Sequence, residues 1–550
     1  MMKTYKVPIL SMFFLLGIFF ASCRFAIAEP SNSLEPLAEG VVIERHVPIL
    51  MRDGALLIAD IYFPESMSRA LPAILIRTPY SRKTYRKETP DALFFARQGY
   101  VVIVQDVRGR YDSGGRFSFA GNDGPDGSDT IQWIAEQTWS NGKVGTFGCS
   151  FRGEVQIAAG LQMPPALKAM VPEGAGAMVG SADGRYNNWA SRVGGAFALA
   201  TQSGWFHNSG NGVFMRYPSD LPRDVLLRLD AMENTRPDLE GAGMASLDAL
   251  KTLPLTAIPK RLASLPNQFN DILTRPMDDA WWDEAGFITD DSRIDVPALH
   301  VNSWYDYGVN ETILQWEVFR RNAASAKVRD NQFLILSPMT HCKSESDASM
   351  ESIVGERPMG DTRFPYRSVY TAWFDRWLKG DSGALQDMPR VQFFAMGTNE
   401  WHASETWPPE GTSARELFLE SETGANSLFG DGRLSDLAPS SDGSDGFTYN
   451  PNTPVPSRGG SVCCTGSDEF QPGAFDQRAI QTRQDVLIYT TPPLEKDLFA
   501  AGPVEAVLFV TSSAPDTDFT VKLVDVYPDG RAFNVQDGIL RLRYRNGPQA

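Results

Sequence analysis

Ser150 is the residue whose type and surroundings most clearly suggest chemistry. It lies in the glycine-rich segment 148–153 (GCSFRG), after an apolar run at 143–147 and before a helix-like run at 154–161. A serine in a tight turn between a strand and a helix is the usual setting of a nucleophilic hydroxyl. The free N–H groups at the start of such a helix favour developing negative charge. The second glycine comes one residue later than in G-x-S-x-G, and Arg152 replaces a small residue, so the segment alone also fits an ordinary glycine-rich turn.

Two later apolar runs are each followed by a residue that would complete a catalytic triad. Asp306 follows the run at 297–301, and His341 follows the run at 333–336. The order serine, acid, histidine is that of an α/β-hydrolase sheet. In this chemistry His341 takes the serine proton and returns one to the leaving group, while Asp306 orients the imidazole and stabilises its charged form. Asp306 as the start of a helix and His341 as a surface loop residue are the alternatives, and their joint placement favours the triad.

The elements that must position these residues alternate between strands and helices. Strand-like runs occur at 41–49, 55–63, 72–77, 100–105, 143–147 and 167–171, and helix-like runs at 92–98, 126–137, 154–161 and 370–378. This alternation predicts a mainly parallel sheet that is covered by helices on both faces. We assign residues 40–180 and 291–385 to this α/β-hydrolase catalytic domain.

Residues 181–290 differ in character from the catalytic domain. They are rich in Asn, Gly, Arg and Trp, and their apolar residues recur at helical spacing. We predict a helical cap insertion that forms the acyl pocket with Trp205, Trp281 or Trp282. The aromatic residues of such a segment also fit a simple core role.

The C-terminal part of the chain, residues 388–550, is rich in strand-like runs. Candidate strands lie at 391–396, 415–419, 485–489, 504–510 and 519–526. The intervening segment 421–470 is rich in Gly, Ser, Asp and Pro, which is typical of loops. This pattern predicts a C-terminal β-sandwich domain of the jelly-roll type.

The N-terminal residues 1–28 have the pattern of a secretory signal peptide. A positively charged start is followed by an apolar stretch at 7–21, and Ala26-Ile27-Ala28 offers a cleavage site after Ala28. The stretch is too short to span a bilayer comfortably, and no later segment is long and apolar enough. We therefore expect a secreted or periplasmic protein without an integral membrane span, with lipid attachment at Cys23 as the alternative.

Charge and cysteine content exclude several classes of protein. The formal net charge of −16 becomes −19 when residues 1–28 are removed, because they carry three basic residues and no acid. A chain this acidic, without a basic run, is not expected to bind nucleic acid. After cleavage the cysteines are Cys149, Cys342, Cys463 and Cys464, too few for a disulfide scaffold.

The cysteines and histidines do not predict a metal site. Cys463 and Cys464 are adjacent and are not expected to bridge to each other easily. Cys149 and Cys342 each neighbour a triad candidate, but this position alone does not make them a pair. No Cys or His spacing resembles a zinc site, so we expect neither a metal nor a cofactor.

Several segments resemble the CocE/NonD hydrolase family, the cocaine-esterase-like and X-Pro dipeptidyl-peptidase-like (S15) group. They are 77–80 (RTPY), 105–110 (QDVRGR), 139–145 (WSNGKVG), 148–151 (GCSF), 304–306 (WYD), 337–341 (SPMTH), 512–519 (SSAPDTDF) and 525–530 (DVYPDG). The resemblance covers about residues 40 to 545, and the elbow of this family, G-x-S-[YF]-x-G, accommodates Arg152. It also implies an oxyanion hole formed by the Tyr80 hydroxyl and the backbone N–H of Phe151.

The resemblance implies a serine hydrolase that cleaves carboxylic esters of small molecules through an acyl-enzyme. An X-Pro dipeptidyl-peptidase or an acylase that cleaves amides is the second hypothesis. A non-catalytic protein that binds a carbohydrate or a cell-surface partner through the β-sandwich is the third. The family's amino-acid ester hydrolases carry acidic residues after the triad aspartate, whereas this chain has Tyr307-Gly308-Val309-Asn310, which disfavours ammonium-bearing substrates.

The family's β-sandwich normally continues beyond the position of Arg545. We therefore expect an incomplete sandwich with an exposed edge, or a sequence that is a fragment.

Overall fold

The computed structural model describes residues 34–82, 88–119, 121–210, 225, 247–440, 443–465 and 467–548. The predicted signal peptide at 1–28 lies outside these residues. Within the described ranges, no helix is both long and apolar enough to cross a membrane.

An eleven-stranded sheet forms the centre of the molecule. Its strands are β1 (Glu35–Ala38), β2 (Val41–Leu50), β3 (Leu56–Pro64), β4 (Leu71–Thr78), β5 (Val101–Asp106), β6 (Ser140–Cys149), β7 (Leu167–Glu173), β8 (Ala298–Tyr305), β9 (Gln332–Thr340), β10 (Val391–Ala395) and β11 (Glu400–Ser404). Their order is β1-β2-β3-β5-β4-β6-β7-β8-β9-β10-β11. All pairs from β5 to β10 are parallel, and the pairs at the two ends are antiparallel. The predicted, mainly parallel α/β sheet is therefore confirmed.

Helices cover both faces of this sheet. Those between and after its strands are α1 (Glu88–Arg97), α2 (Asp123–Ala135), α3 (Phe151–Leu161), α9 (Val309–Arg321), α10 (Ala326–Arg329) and α11 (Tyr366–Phe374). All six residues of β5 are buried, as expected of a central parallel strand that is covered on both sides. Two large apolar clusters result, one on each side, with Leu75 and Ile103 in one and Ile74 and Val102 in the other. Successive side chains of a strand point to opposite faces of the sheet, so adjacent residues such as Ile74 and Leu75 fall in different clusters.

The segment between β7 and β8 contains short helices and two small hairpins. The helices are α4 (Leu199–Asn208), α5 (Leu247–Leu250), α6 (Ile258–Arg261), α7 (Phe269–Thr274) and α8 (Trp281–Glu284). The hairpins pair Ser181–Ala182 with Arg185–Tyr186, and Arg192–Val193 with Ala196–Phe197. The described part of this insertion thus contains several short helices joined by irregular segments.

The first strand that we predicted for the C-terminal domain belongs to the central sheet. Val391 of β10 pairs with Leu334 of β9, and β11 then closes that edge of the sheet. The sequence pattern of a short apolar strand is the same in a sheet and in a sandwich, so it could not assign the strand to either domain.

The C-terminal part contains two separate strand pairs and the short helix α12 (Arg478–Gln481). The pairs join β12 (Phe418–Glu420) to β13 (Arg433–Ser435), and β14 (Asp518–Val526) to β15 (Ala532–Arg541). The strands predicted at 485–489 and 504–510 are wrong: the first makes only an isolated bridge at Leu487, and the second is not a strand. Residues 504–510 have no neighbouring strand to pair with in the described structure, and their apolar side chains are exposed, Phe509 fully.

Candidate active site

Ser150 occupies a sharp turn between β6 and α3. Its backbone has φ 63° and ψ −135°, outside the conformations that a serine readily adopts. The Ser150 N–H donates to the carbonyl oxygen of Glu173 at 2.9 Å, which fixes the turn against β7. Such strain persists only where surrounding structure imposes it, and it is frequent at functional positions.

Gly153 explains why the second glycine of the motif comes late. A Cβ atom there would lie 2.7 Å from the Glu173 carbonyl oxygen and 2.8 Å from the Ala175 Cβ, too close for any other residue. The first turn of α3 therefore packs directly on the end of β7 at Gly153. Position 152 has room for a long side chain, and the Arg152 guanidinium lies 3.9 Å from the Asp91 carboxylate.

The three residues singled out from the sequence meet at one edge of the sheet. β6 ends at Cys149, β8 at Tyr305 and β9 at Thr340, so Ser150, Asp306 and His341 are each the first residue after a strand. The His341 Nε2 lies 2.9 Å from the Ser150 Oγ, and its Nδ1 lies 2.5 Å from the Asp306 Oδ2. With Nδ1 protonated towards Asp306, Nε2 is free to accept the serine proton.

Asp306 is held rigidly beneath the histidine. Its side chain is fully buried, and its second oxygen, Oδ1, accepts the backbone N–H of Gly308 at 2.7 Å. Burial by itself lowers the pKa of His341, but the charge and hydrogen bond of Asp306 outweigh it and raise the pKa above the ordinary 6.5. The arrangement therefore stabilises the imidazolium that forms when the histidine takes a proton.

Tyr80 and Phe151, the residues implied for an oxyanion hole, lie beside Ser150. The Tyr80 hydroxyl hydrogen-bonds with Trp205 and Ser150, and burial raises its pKa, so it remains a proton donor. Phe151 is the first residue of α3, where a backbone N–H has no acceptor within its own helix. Both groups are hydrogen-bond donors beside the Ser150 hydroxyl.

An aromatic cavity adjoins the serine. Its walls carry Ser150, Phe151, Trp189 and Trp205, and a neighbouring cavity continues towards Phe119. Trp205, one of the three tryptophans named for a predicted acyl pocket, lines this cavity, and Trp189 is a wall residue that the sequence did not single out. Its position within an irregular loop gave no periodic signal.

Trp281 and Trp282, the other two tryptophans proposed for the pocket, pack elsewhere. Trp282 is buried and donates its indole N–H to the Pro276 carbonyl oxygen at 2.9 Å. The Arg275 guanidinium lies over the Trp281 ring, with its central carbon 4.3 Å from the ring centroid. Their core role is the simpler of the two interpretations that the sequence allowed.

Glu154 is a buried acid in this cavity that the sequence analysis missed. Its carboxylate accepts the Trp189 indole N–H at 3.0 Å and the Tyr307 hydroxyl at 3.3 Å. Burial raises the pKa of Glu154 to about 7, while the hydrogen bond from Trp189 and the nearby His341 favour its charged form. In sequence it is one more acid in the first turn of a helix, a position where acids are common.

All four described cysteines lie at this site. Cys149 is bonded to Cys342, with Cα atoms 5.8 Å apart, and Cys463 is bonded to Cys464. The expectation that adjacent cysteines would not bridge is therefore wrong, because the turn at Cys464, with a φ of 62°, brings the two side chains together. Cys463 and Cys464 line the cavity beside Ser150.

Comparison with known proteins gives two family matches and several relatives. Residues 53–343 match the X-Pro dipeptidyl-peptidase (S15) family, and residues 382–550 match the C-terminal non-catalytic domain of X-Pro dipeptidyl-peptidases. Cocaine esterase from Rhodococcus sp. (strain MB1 Bresler) is 34% identical over 512 residues, which cover 92% of this chain and 83% of the esterase. A putative serine esterase from Mycobacterium bovis is 26% identical over 554 residues, covering 90% of this chain and 80% of that protein.

Solved structures show the same fold. An α-amino acid ester hydrolase has a TM-score of 0.66 at 25% identity, with 95% of this chain and 86% of that chain covered. An aminopeptidase from a marine sediment archaeon, Thaumarchaeota archaeon, has a TM-score of 0.66 at 24% identity, with 94% and 84% covered. The family resemblance seen in the sequence segments is confirmed by these matches. The chain belongs to the X-Pro dipeptidyl-peptidase (S15) family and is a serine hydrolase.

Proposed function

We propose that this protein hydrolyses carboxylic esters of small molecules through an acyl-enzyme formed on Ser150. The observation that carries this proposal is the continuous hydrogen-bonded chain from Asp306 through His341 to Ser150, at the carboxyl ends of three strands on one edge of the sheet. The positive φ of Ser150 adds support, because a strained backbone holds the hydroxyl out into the cavity.

The reaction follows from these positions. The Ser150 Oγ attacks the ester carbonyl carbon while His341 Nε2 takes the hydroxyl proton. The carbonyl oxygen becomes an oxyanion that accepts hydrogen bonds from Tyr80 and from the N–H of Phe151. As the C–O bond to the alcohol breaks, His341 returns the proton to the leaving oxygen. Water then attacks the acyl-enzyme by the same proton transfers in reverse, and the carboxylic acid leaves.

We favour ester cleavage over peptide cleavage because the relative with 34% identity to this chain is named a cocaine esterase. The aromatic lining of the cavity, including Phe151 and Trp205, fits an apolar acyl group. Cleavage of X-Pro amides is the second candidate, because the family that matches residues 53–343 is named for it.

A rate comparison separates these candidates. The purified protein is assayed with aryl esters of increasing acyl length and with X-Pro anilides, alongside a Ser150→Ala variant. An esterase gives a much higher kcat/KM on the esters, and the variant loses that activity. Preference for the anilides would favour the peptidase, and turnover of neither class would favour a binding protein.

We also propose that the protein is exported after removal of residues 1–28. The sequence pattern of those residues supports this, and so do two disulfides, which persist in oxidising compartments. Mass spectrometry of the mature N-terminus tests it: a chain beginning at Glu29 is expected, and a lipidated N-terminal Cys23 would overturn the assigned cleavage site.

A further inference from the structure

The pair Cys463–Cys464 lies in the cavity of the candidate active site although it comes from the C-terminal part of the chain. Both residues line the same cavity as Ser150, Trp205 and Tyr307. The two sulfur atoms and a ring nitrogen of His341 all lie within 4.8 Å of one another. Because His341 is far from the two cysteines in sequence, no spacing pattern could reveal the cluster.

The loop that carries the pair is firmly held. Gly460 exchanges two backbone hydrogen bonds with Gly473, at 2.8 and 3.1 Å, and the Ser461 hydroxyl donates to the Trp304 carbonyl oxygen at 3.0 Å. On the other side, α4 packs so closely that a Cβ on Gly204 would lie 2.3 Å from the Cys464 carbonyl oxygen. The sulfurs are therefore presented to the cavity from a fixed backbone.

We propose that, once the bond between them is reduced, Cys463 and Cys464 form with His341 a binding site for a soft divalent cation such as Zn²⁺ or Cd²⁺. Two thiolates and an imidazole are a donor set that such cations prefer, and zinc with three protein ligands commonly takes a water molecule as the fourth. Ligands of one tetrahedral zinc, bound at about 2.0–2.3 Å, lie roughly 3.5 Å apart. The two sulfurs separate when their bond is reduced, and the three donor atoms, all within 4.8 Å of one another, then need only side-chain movement to take this geometry.

The surroundings favour a cation at this place. Glu154, which lines the same cavity, adds negative charge when it is ionised. The hydrogen bonds that Glu154 accepts from the Trp189 indole and the Tyr307 hydroxyl come from neutral donors, so they do not cancel this charge. Cys463 is largely buried, and this protects a bound cation from competing water.

Binding would stop the proposed reaction. A cation on the imidazole nitrogen occupies the lone pair that must accept the Ser150 proton. This inhibitory effect rests on the proposed function, whereas cation binding itself does not.

The chemistry balances with a phosphine as reductant. The phosphine supplies two electrons to the disulfide and becomes its oxide by taking oxygen from water, while the sulfurs take up two protons. The cation then displaces these protons from the two thiols.

The test uses Cd²⁺ alone as the probe on the full chain, after phosphine treatment and removal of the phosphine. Wild type is expected to bind one equivalent with a thiolate-to-cadmium absorption band and to lose ester hydrolysis as the site fills, with recovery on chelation. The matched variant Cys463→Ser/Cys464→Ser keeps the other disulfide cysteines and should show neither the band nor an inhibition relative to its own metal-free rate. His341→Ala should bind Cd²⁺ at least tenfold more weakly.

Two results would overturn the proposal. One is a reduced wild type without the cadmium band, and the other is an equal band or equal inhibition in the double serine variant. A Ser150→Ala variant that still gives the band keeps the binding result separate from any failure of the hydrolase proposal.

Discussion

Cys149 is bonded to Cys342, and each is the direct sequence neighbour of a residue in the candidate triad. One half-cystine precedes Ser150 and the other follows His341. The disulfide therefore joins the nucleophile turn to the histidine loop across 193 residues of sequence. It constrains the two chain segments whose relative position sets the distance between the Ser150 Oγ and the His341 Nε2.

Removal of this disulfide is expected to lower stability. The variant Cys149→Ala/Cys342→Ala should lose about 2–5 kcal/mol of unfolding free energy, because the cross-link restricts the unfolded chain over a long loop. Urea denaturation with oxidised protein measures this. The control is Cys463→Ala/Cys464→Ala, which removes a bond between adjacent residues and so changes the unfolded chain much less. Equal losses in both variants would contradict the prediction.

The Tyr80 hydroxyl is expected to contribute to the transition state rather than to substrate affinity. Tyr80→Phe should lower kcat on an aryl ester by about 10²–10³-fold with little change in KM, because it removes one donor to the oxyanion. Steady-state kinetics measure both parameters. Tyr449→Phe, at an exposed tyrosine, serves as the control and should behave as wild type. A Tyr80→Phe effect confined to KM would mean that Tyr80 contacts the substrate in another way.

The raised pKa of His341 predicts a particular pH profile. The histidine must be neutral to accept the serine proton, so kcat/KM should rise with pH through a midpoint above 6.5 and then level off. Asp306→Asn removes the charge that raises this pKa, so the midpoint should fall and kcat should drop by about 10⁴-fold. The profile is measured with an ester that does not itself ionise. A variant midpoint at or above that of wild type would contradict the assigned role of Asp306.

The charge of Glu154 should also affect the pH dependence of kcat/KM. Its pKa is raised to about 7 by burial, and its ionised form raises the pKa of His341, so the two groups titrate together. Glu154→Gln should remove this coupling and move the midpoint of kcat/KM to lower pH. Glu284→Gln, an exposed acid on α8, is the matched control and should leave the midpoint in place. An unchanged midpoint in Glu154→Gln would show that its charge is not felt at His341.

That Ser150, Asp306 and His341 lie close together could be predicted from the sequence because of a simple property of parallel strands. Each of Ser150, Asp306 and His341 directly follows a buried apolar strand, and such strand ends gather at one edge of a sheet. The central strands from β4 to β9 were predicted for the same reason, since their apolar runs are continuous and are bounded by helices or turns.

Other features had no local signal. Glu154 looks like any acid in the first turn of a helix, and only the fold shows that it faces Trp189 and Tyr307. Cys463 and Cys464 reach the cavity through the packing of an irregular loop, which leaves no periodic pattern in the sequence. The strand predicted at 504–510 is wrong because apolar alternation alone cannot show whether a partner strand is present.

Covalent labelling with a fluorophosphonate tests the central claim, that Ser150 is a nucleophile activated by His341. The native protein should be labelled once, at Ser150, as located by peptide mass spectrometry, and labelling should be lost in Ser150→Ala and in His341→Ala. Protein unfolded in urea should not react, which separates activation by the fold from ordinary serine reactivity. A folded wild type that is not labelled at Ser150, or a His341→Ala variant that is labelled at the same rate, would contradict the account.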